Sequence, residues 1–491
     1  MKEKVAVIGA GIGGMATAIQ LTVNGYDVSV FEKNDQPGGK MGQIFYGPYR
    51  FDTGPSVFTM PELVDRLFIR AGVNPSDYYH YSKLDQSCRY FYEDGTCIDA
   101  YSDEEKFTRE VEEKTDEPPE NIRTFLDKSQ SIYDVTADLF MFNSIHDPQA
   151  LLTKNNLKAL LHFGRIDAFK TMHQANRKYF QSDKLVQLFD RYATYNGSDP
   201  YRIPATFNII SHLEHNMGVY YPDGGIYAIA NAMYRLMQDL GVTIYLNHPV
   251  RGLITEGKNI RGVVTGSGEA SFDYVVSNMD VNLFYEHLLP DHWKLKKLRK
   301  PEKSSSALIF CWGMDGTNPG LKLHNILFSN DYQGEFESLF RHKKIHPDPT
   351  VYIYISSRAV EGDAPRGKEN WYVMVNAPEN TGQDWEEMRR EARRNIVDKI
   401  NRVLETDIQK KIEVEQVYDP PAIEQHTWSY HGSLYGNSSN GMFAAFNRHS
   451  NFSRKYKNLY FTGGSVHPGG GIPLCLAGAG IVAEKISKNE H

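Results

Sequence analysis

The stretch "VAVIGAGIGGMATAIQL", Val5 to Leu21, has no charged side chain, yet its glycines stand at the spacing a diphosphate requires. Gly9, Gly11 and Gly14 form a Gly-x-Gly-x-x-Gly turn, with Ile12 and a fourth glycine, Gly13, inside it. The first glycine permits the turn. The second lets bare backbone approach a pyrophosphate, and the third lets the following helix pack on the preceding strand. The N-terminus of that helix adds partial positive charge. The next apolar run, "YDVSVFE", ends on Glu32, followed by Lys33. A carboxylate there accepts hydrogen bonds from ribose hydroxyls and repels a 2′-phosphate, so the chemistry is dinucleotide binding with NADP disfavoured.

Three elements must position these groups. Val5 to Ile8 reads as a buried parallel strand, and Ile12 to Val23 as a helix that stops before Asn24-Gly25. The run ending on Glu32 reads as a second strand. The glycines exclude a regular membrane-spanning helix, and Glu3 interrupts the basic pair Lys2 and Lys4 that a signal peptide would need. The other end of the chain repeats the pattern. "NLYFTGGSVHPGGGIPLCLAGAGIVAEKI" gives a short strand from Asn458 to Thr462, a loop with Gly463, Gly464 and Gly471, and a helix from about Ile472. Its helix N-terminus is a second candidate cofactor contact, so the chain ends must meet in space. His467 is the only titratable side chain in that loop. It is a candidate base or cofactor-edge partner, with a satisfied structural histidine as the alternative.

The remaining sequence narrows the class. A net charge of −7 argues against a nucleic-acid partner. Cys88, Cys97, Cys311 and Cys475 are scattered without metal-ligand spacing, so no metal is expected and the location is cytoplasmic. From Phe107 to about Asp190 the pattern is helical. Within it, residues 151–180 carry Lys154, Lys158, Arg165, Lys170, Arg177 and Lys178 against one acid, Asp167, beside several leucines. A basic amphipathic segment of this kind suits a membrane surface, and an ordinary basic-rimmed helix pair is the alternative. Strands follow over about 243–280 and 304–380, and a charged surface helix over 384–405. In "TVYIYIS", Tyr352 and Tyr354 share one face, either a covered sheet face or a ligand wall.

The segment "EKNDQPGGKMG", with Gly38, Gly39 and Lys40 after Glu32, resembles the flavoprotein superfamily of amine oxidases, protoporphyrinogen oxidases and carotenoid desaturases. The resemblance implies FAD as cofactor. It places Gly54, Pro55 and Ser56 of "FDTGPSVFTMP" against the isoalloxazine ring and the Val250 backbone beside the adenine. It also aims the last helix at the N1/C2=O edge of the flavin. Over essentially the whole chain the sequence is similar to bacterial-type carotenoid desaturases of the phytoene desaturase family, through "GVYYPDGGIYAIANAM", "VVSNMD" and "GGSVHPGGGIPLCLAGA". "RYATYNGSDPYRIPATFNIISHLE", Arg191 to Glu214, is more like the branch that desaturates hydroxy- and methoxycarotenoids at C3–C4.

That resemblance implies an α/β fold. A Rossmann-type FAD-binding domain would be built from residues 1–80, 216–290 and 426–491. A helical, membrane-associated substrate insertion would occupy 81–215, and a mixed-sheet substrate domain 291–425. The implied activity is carotenoid desaturation by hydride transfer to flavin N5, peripheral to the cytoplasmic membrane, with oxygen or a quinone as electron acceptor. A hydroxyl buried in an apolar tunnel needs a polar partner, for which Tyr195, Asn196 and His212 are the candidates. Alternatives are phytoene desaturation, an amine or porphyrinogen oxidase, and a prenyl-binding escort protein without flavin. Cys475 falls inside the last helix, where covalent flavin attachment is not expected.

Overall fold

The computed structural model describes residues 2–147 and 166–488. Its first sheet is wholly parallel, with strands in the order Leu459–Phe461, Tyr274–Ser277, Lys4–Ile8, Asp27–Phe31 and Thr243–Tyr245. Parallel strands of this kind are buried on both faces, which is why Val5, Ala6, Val7 and Ile8 form an unbroken apolar run, while the next strand buries Val28, Val30 and Phe31 around Ser29. The helix Ile12–Val23 crosses between the first two strands. The helix Ile472–Lys488 lies beside it, joined by a hydrogen bond from Asn24 Nδ2 to Ser487 Oγ at 2.9 Å. The two chain ends therefore meet in one sheet, their strands separated only by Tyr274–Ser277 and their helices side by side.

The second sheet has seven strands in the order Ile412–Tyr418, Ser306–Met314, Glu369–Ala377, Val351–Tyr354, His324–Leu327, Gln86–Phe91 and Cys97–Tyr101. All neighbours are antiparallel except His324–Leu327 against Gln86–Phe91. The strands at 86–101, in a stretch otherwise read as helical, enter this sheet through that long-range parallel pairing. Strand period two divides the sheet's side chains. Leu308, Phe310, Trp312, Val351, Ile353 and Val373 pack beneath the charged helix Trp385–Leu404. Ile309, Cys311, Tyr354 and Tyr372 face the other way and merge with the core of the parallel sheet. In "TVYIYIS" the valine and isoleucine thus face the helix, and the tyrosines face the nucleotide-binding half.

Between the two sheets runs the strand Tyr49–Asp52, which leads into the loop 53–56. Buried Arg50 joins Asp52 at 2.7 Å and Asp363 at 3.0 Å. Asp52 also accepts from the Ile226 and Tyr227 amides at 3.2 and 3.1 Å and from the Tyr354 hydroxyl at 3.0 Å. Charge-assisted bonds from several elements converge here and fix the loop against the seven-stranded sheet. No helix among the described residues is long and apolar enough to cross a membrane.

Candidate functional site

Gly9, Gly11, Gly13 and Gly14 stand where the first strand turns into the helix that begins at Ile12. A β-carbon at Gly14 would come within 2.1 Å of the Gly9 carbonyl oxygen, so only glycine closes this turn. The Gly38–Gly39 turn folds onto it. The Gly38 amide donates to the Ala10 carbonyl at 2.8 Å, and a β-carbon at Gly39 would sit 3.1 Å from the Gly11 Cα. Two backbone loops are thereby stacked with no side chain between them, as a surface that receives a diphosphate must be.

Glu32 is buried at the end of its strand, 5% exposed. Its Oε2 accepts from the Ala10 amide at 2.8 Å and its Oε1 from the Asn34 amide at 2.9 Å. A carboxylate has about four lone-pair sites, so two remain for ribose hydroxyls. The His248 amide donates to the Glu32 carbonyl at 2.8 Å, which brings the strand that starts at Val250 beside it, and Val250 packs in one cluster with Phe31. Lys33 points away, to the Gln425 carbonyl at 3.0 Å. Lys40 reaches across to the Leu434 and Ser433 carbonyls, and burial lowers its proton affinity.

The loop Gly54-Pro55-Ser56 packs on the Lys40 carbonyl, and Ser56 Oγ accepts from the Tyr352 hydroxyl at 2.6 Å. From the far end of the chain, Gly463 lies against the Asn278 side chain, and the Gly471 carbonyl accepts from the Cys475 amide at 3.0 Å in the first turn of the last helix, next to buried Ile472. The Thr462 hydroxyl, at the entry of this loop, is buried without a protein partner and faces Gly13. The glycine cradle, the ribose-side carboxylate, the helix N-termini and this unpaired hydroxyl fit FAD. Cys475 is buried inside the helix, and burial raises its thiol to about 11, which disfavours the nucleophilic thiolate.

The other residues singled out in the sequence fall elsewhere. His467 is 2% exposed, its Nε2 lies 2.8 Å from the Asn143 carbonyl, and burial lowers it to about 4, so it is neutral. Tyr195 donates to Glu214 Oε2 at 2.5 Å. Asn196 is buried at the end of the same short helix, and His212 Nδ1 pairs with the Asn216 amide at 2.9 Å. Lys170 pairs with Asp167 at 2.8 Å and Arg177 with Asp183, while Lys154, Lys158 and Arg165 lie outside the described residues.

Three site residues were not singled out from sequence. Asn278, in "VVSNMD", threads its side chain between Gly11, Gly13 and Gly463; the motif was the available signal. Arg448, 6% exposed, donates to the Tyr435 carbonyl at 3.1 Å beside the C-terminal loop, where burial lowers it to about 10. His324, on the sheet face above Ser56, left no sequence signal.

This geometry defines a dinucleotide-binding oxidoreductase, and the chain belongs to the flavin-containing amine oxidoreductase family, whose profile matches residues 12–487. It is a FAD-dependent oxidoreductase. Among curated proteins it is 46% identical, over 99% of both chains, to a 1-hydroxycarotenoid 3,4-desaturase of Flavobacterium sp. (strain P99-3). It is 33% identical to a 4,4'-diapolycopene oxygenase of Methylomonas sp, over 99% of this chain and 98% of that one. Among solved structures it shares its fold with cyclohexylamine oxidase from Brevibacterium oxydans IH-35A (TM-score 0.62, 14% identity, all of both chains covered at 100% each) and with an oxidoreductase from Methanosarcina mazei (TM-score 0.61, 14% identity, 99% and 100% covered).

Replacing Glu32 by Ala removes the charged acceptor for the ribose. The expected result is FAD binding weakened by about 1–3 kcal/mol, read as flavin lost on dialysis and regained at higher FAD concentration. Full occupancy after dialysis would show that Glu32 is not a ribose ligand.

Proposed function

We propose that the protein is a carotenoid desaturase that introduces the C3–C4 double bond into a 1-hydroxycarotenoid. The observation that carries this reading is the sheet face beside Ser56. Tyr352 and Met374 on it keep accessible surface although they lie on central strands of the sheet. Such a face suits a long apolar chain. Its ionisable groups are held neutral: burial raises Tyr352 and Tyr354 well above the usual tyrosine range and lowers His324 to about 4. Tyr352, Tyr354 and His324 thus present uncharged groups to whatever lies on this face. The whole-length likeness to the 3,4-desaturase supports the same reading.

Desaturation removes a hydride from one carbon and a proton from its neighbour as the single bond becomes double. FAD, when bound, supplies the hydride acceptor, and oxygen or a quinone takes the electrons onward. The residues of the chain hold the reactants in place. Glu32 and the stacked glycine loops hold the cofactor, the Arg50–Asp52 cluster fixes the loop 53–56, and the tyrosine face holds the polyene straight and dry.

A carotenoid resides in a bilayer, so the protein must dock on one. The basic stretch 151–180 supports a peripheral site at the cytoplasmic membrane. Exposed Phe169, Met442, Phe443 and Phe446 add apolar surface, and Phe446 packs on Phe140 with ring centroids 5.9 Å apart.

Two measurements test these points. Given a panel of carotenoids, the FAD-loaded protein should turn over a 1-hydroxycarotenoid with higher kcat/KM than phytoene, giving a product longer by one conjugated double bond. Faster turnover of phytoene would contradict the 3,4-assignment. Replacing Lys154, Lys158 and Arg165 together by Gln should lower partition onto anionic liposomes, at about 1 kcal/mol per residue, with FAD retained. Unchanged partition at low salt would return the segment to an ordinary helix pair.

A further inference from the structure

The strand His324–Leu327 carries His324 onto the tyrosine face, opposite Tyr354 and stacked on it with centroids 5.2 Å apart. Its Nδ1 lies 2.8 Å from the Tyr352 hydroxyl, and that hydroxyl donates to Ser56 Oγ at 2.6 Å. A hydroxyl has one hydrogen, so Tyr352 must accept from His324, and Nδ1 carries the proton. Nε2 is then a bare acceptor. It is buried, His324 being 2% exposed, and it has no hydrogen-bond partner. An unpaired buried acceptor is expensive, which points to a ligand.

Nearby stands its complement. Arg191 donates through Nη2 to the hydroxyl of Tyr90, which lies on the neighbouring strand Gln86–Phe91, and its Nε is likewise buried without a partner. Arg191 and Glu214 are close enough to His324 to bias its protonation. The region thus lacks one donor for His324 and one acceptor for Arg191. A substrate hydroxyl supplies the donor that His324 lacks.

Resting on the desaturase reading above, we propose that His324 Nε2 is the acceptor for the substrate's 1-hydroxyl group, oriented by Tyr352 and Ser56. Position also favours it. In a 1-hydroxycarotenoid the C3–C4 bond begins two bonds from the hydroxyl-bearing carbon, so the hydroxyl partner must stand close to the reacting bond. Ser56 belongs to the loop beside the cofactor, and His324 is one tyrosine hydroxyl away from it. Tyr195 and His212, by contrast, already have side-chain partners.

The test compares three end groups on one carotenoid skeleton, 1-hydroxy, 1-methoxy and unsubstituted, in the FAD-loaded wild type and in the His324→Leu and His324→Gln variants at equal FAD content. The wild type should prefer 1-hydroxy over both analogues, because methylation removes the donated hydrogen. In His324→Leu the kcat/KM preference should shrink by about 10- to 100-fold. In His324→Gln, whose amide oxygen can still accept, it should fall to an intermediate value. Should the Leu variant lose its cofactor, the Gln variant and the wild-type discrimination against 1-methoxy still decide. An undiminished preference in either variant, or equal use of 1-hydroxy and 1-methoxy substrates by the wild type, would overturn the assignment of His324. A wild type that desaturates other carotenoids but no hydroxylated one would instead overturn the 3,4-desaturase reading.

Discussion

The arrangement depends on one buried guanidinium. Arg50 sits between Asp52 and Asp363, residues 2 and 313 positions away along the chain, and its Nε donates to Gln43 at 2.8 Å. The Asn370 amide holds the Arg50 carbonyl at 2.6 Å. Through these contacts the strand before the loop 53–56 is tied to the helix that starts at Tyr227, to the tyrosine strand Val351–Tyr354 and to the strand Glu369–Ala377. A buried ion cluster is poor evidence of net stability, since desolvation offsets most of its Coulombic gain. Breaking one is another matter: two carboxylates left without their cation cost about 3–5 kcal/mol. The cluster therefore selects a single relative placement of the cofactor loops and the sheet face, which a reaction between a planar cofactor and one bond of a polyene demands.

On that frame the two halves contribute opposite surfaces. The nucleotide half offers bare backbone, one carboxylate and helix N-termini, all suited to a polar, charged cofactor. The sheet offers aromatic rings and neutral polar groups, suited to a hydrocarbon. His324, His215 and His467 are each lowered to about 4 by burial, so at neutral pH these three imidazoles are uncharged. A second charged interior cluster near the sheet, Arg191 with Glu214, is enclosed by Tyr90, Tyr192 and Tyr195, all hydrogen-bonded to it.

The elements around the glycine turns were legible in the sequence because their signals are local. Glycine spacing, an acid after a strand and a glycine-rich loop before a helix each declare themselves within a short window, and the helix Ile12–Val23 falls on the residues its pattern predicts. The tyrosine face was half legible: alternation put Tyr352 and Tyr354 on one side, but only the pairing of six further strands determines what that side meets. Arg50, Arg448 and His324 were not legible, since each owes its meaning to partners brought by tertiary contacts. The strands Gln86–Phe91 and Cys97–Tyr101 were missed for the same reason: they pair locally with each other, but Gln86–Phe91 joins the sheet through a parallel partner more than two hundred residues away.

The most direct test of the account is a single anaerobic turnover. FAD-loaded protein is mixed with excess 1-hydroxycarotenoid in the absence of any electron acceptor, quenched, and the extracted pigment analysed for new double bonds. If the cofactor site at the chain ends and the tyrosine face act on one substrate, product should stop at one new double bond per bound FAD and resume on admission of oxygen or a quinone. Continued desaturation without an acceptor, or none from protein fully loaded with FAD, would contradict the account.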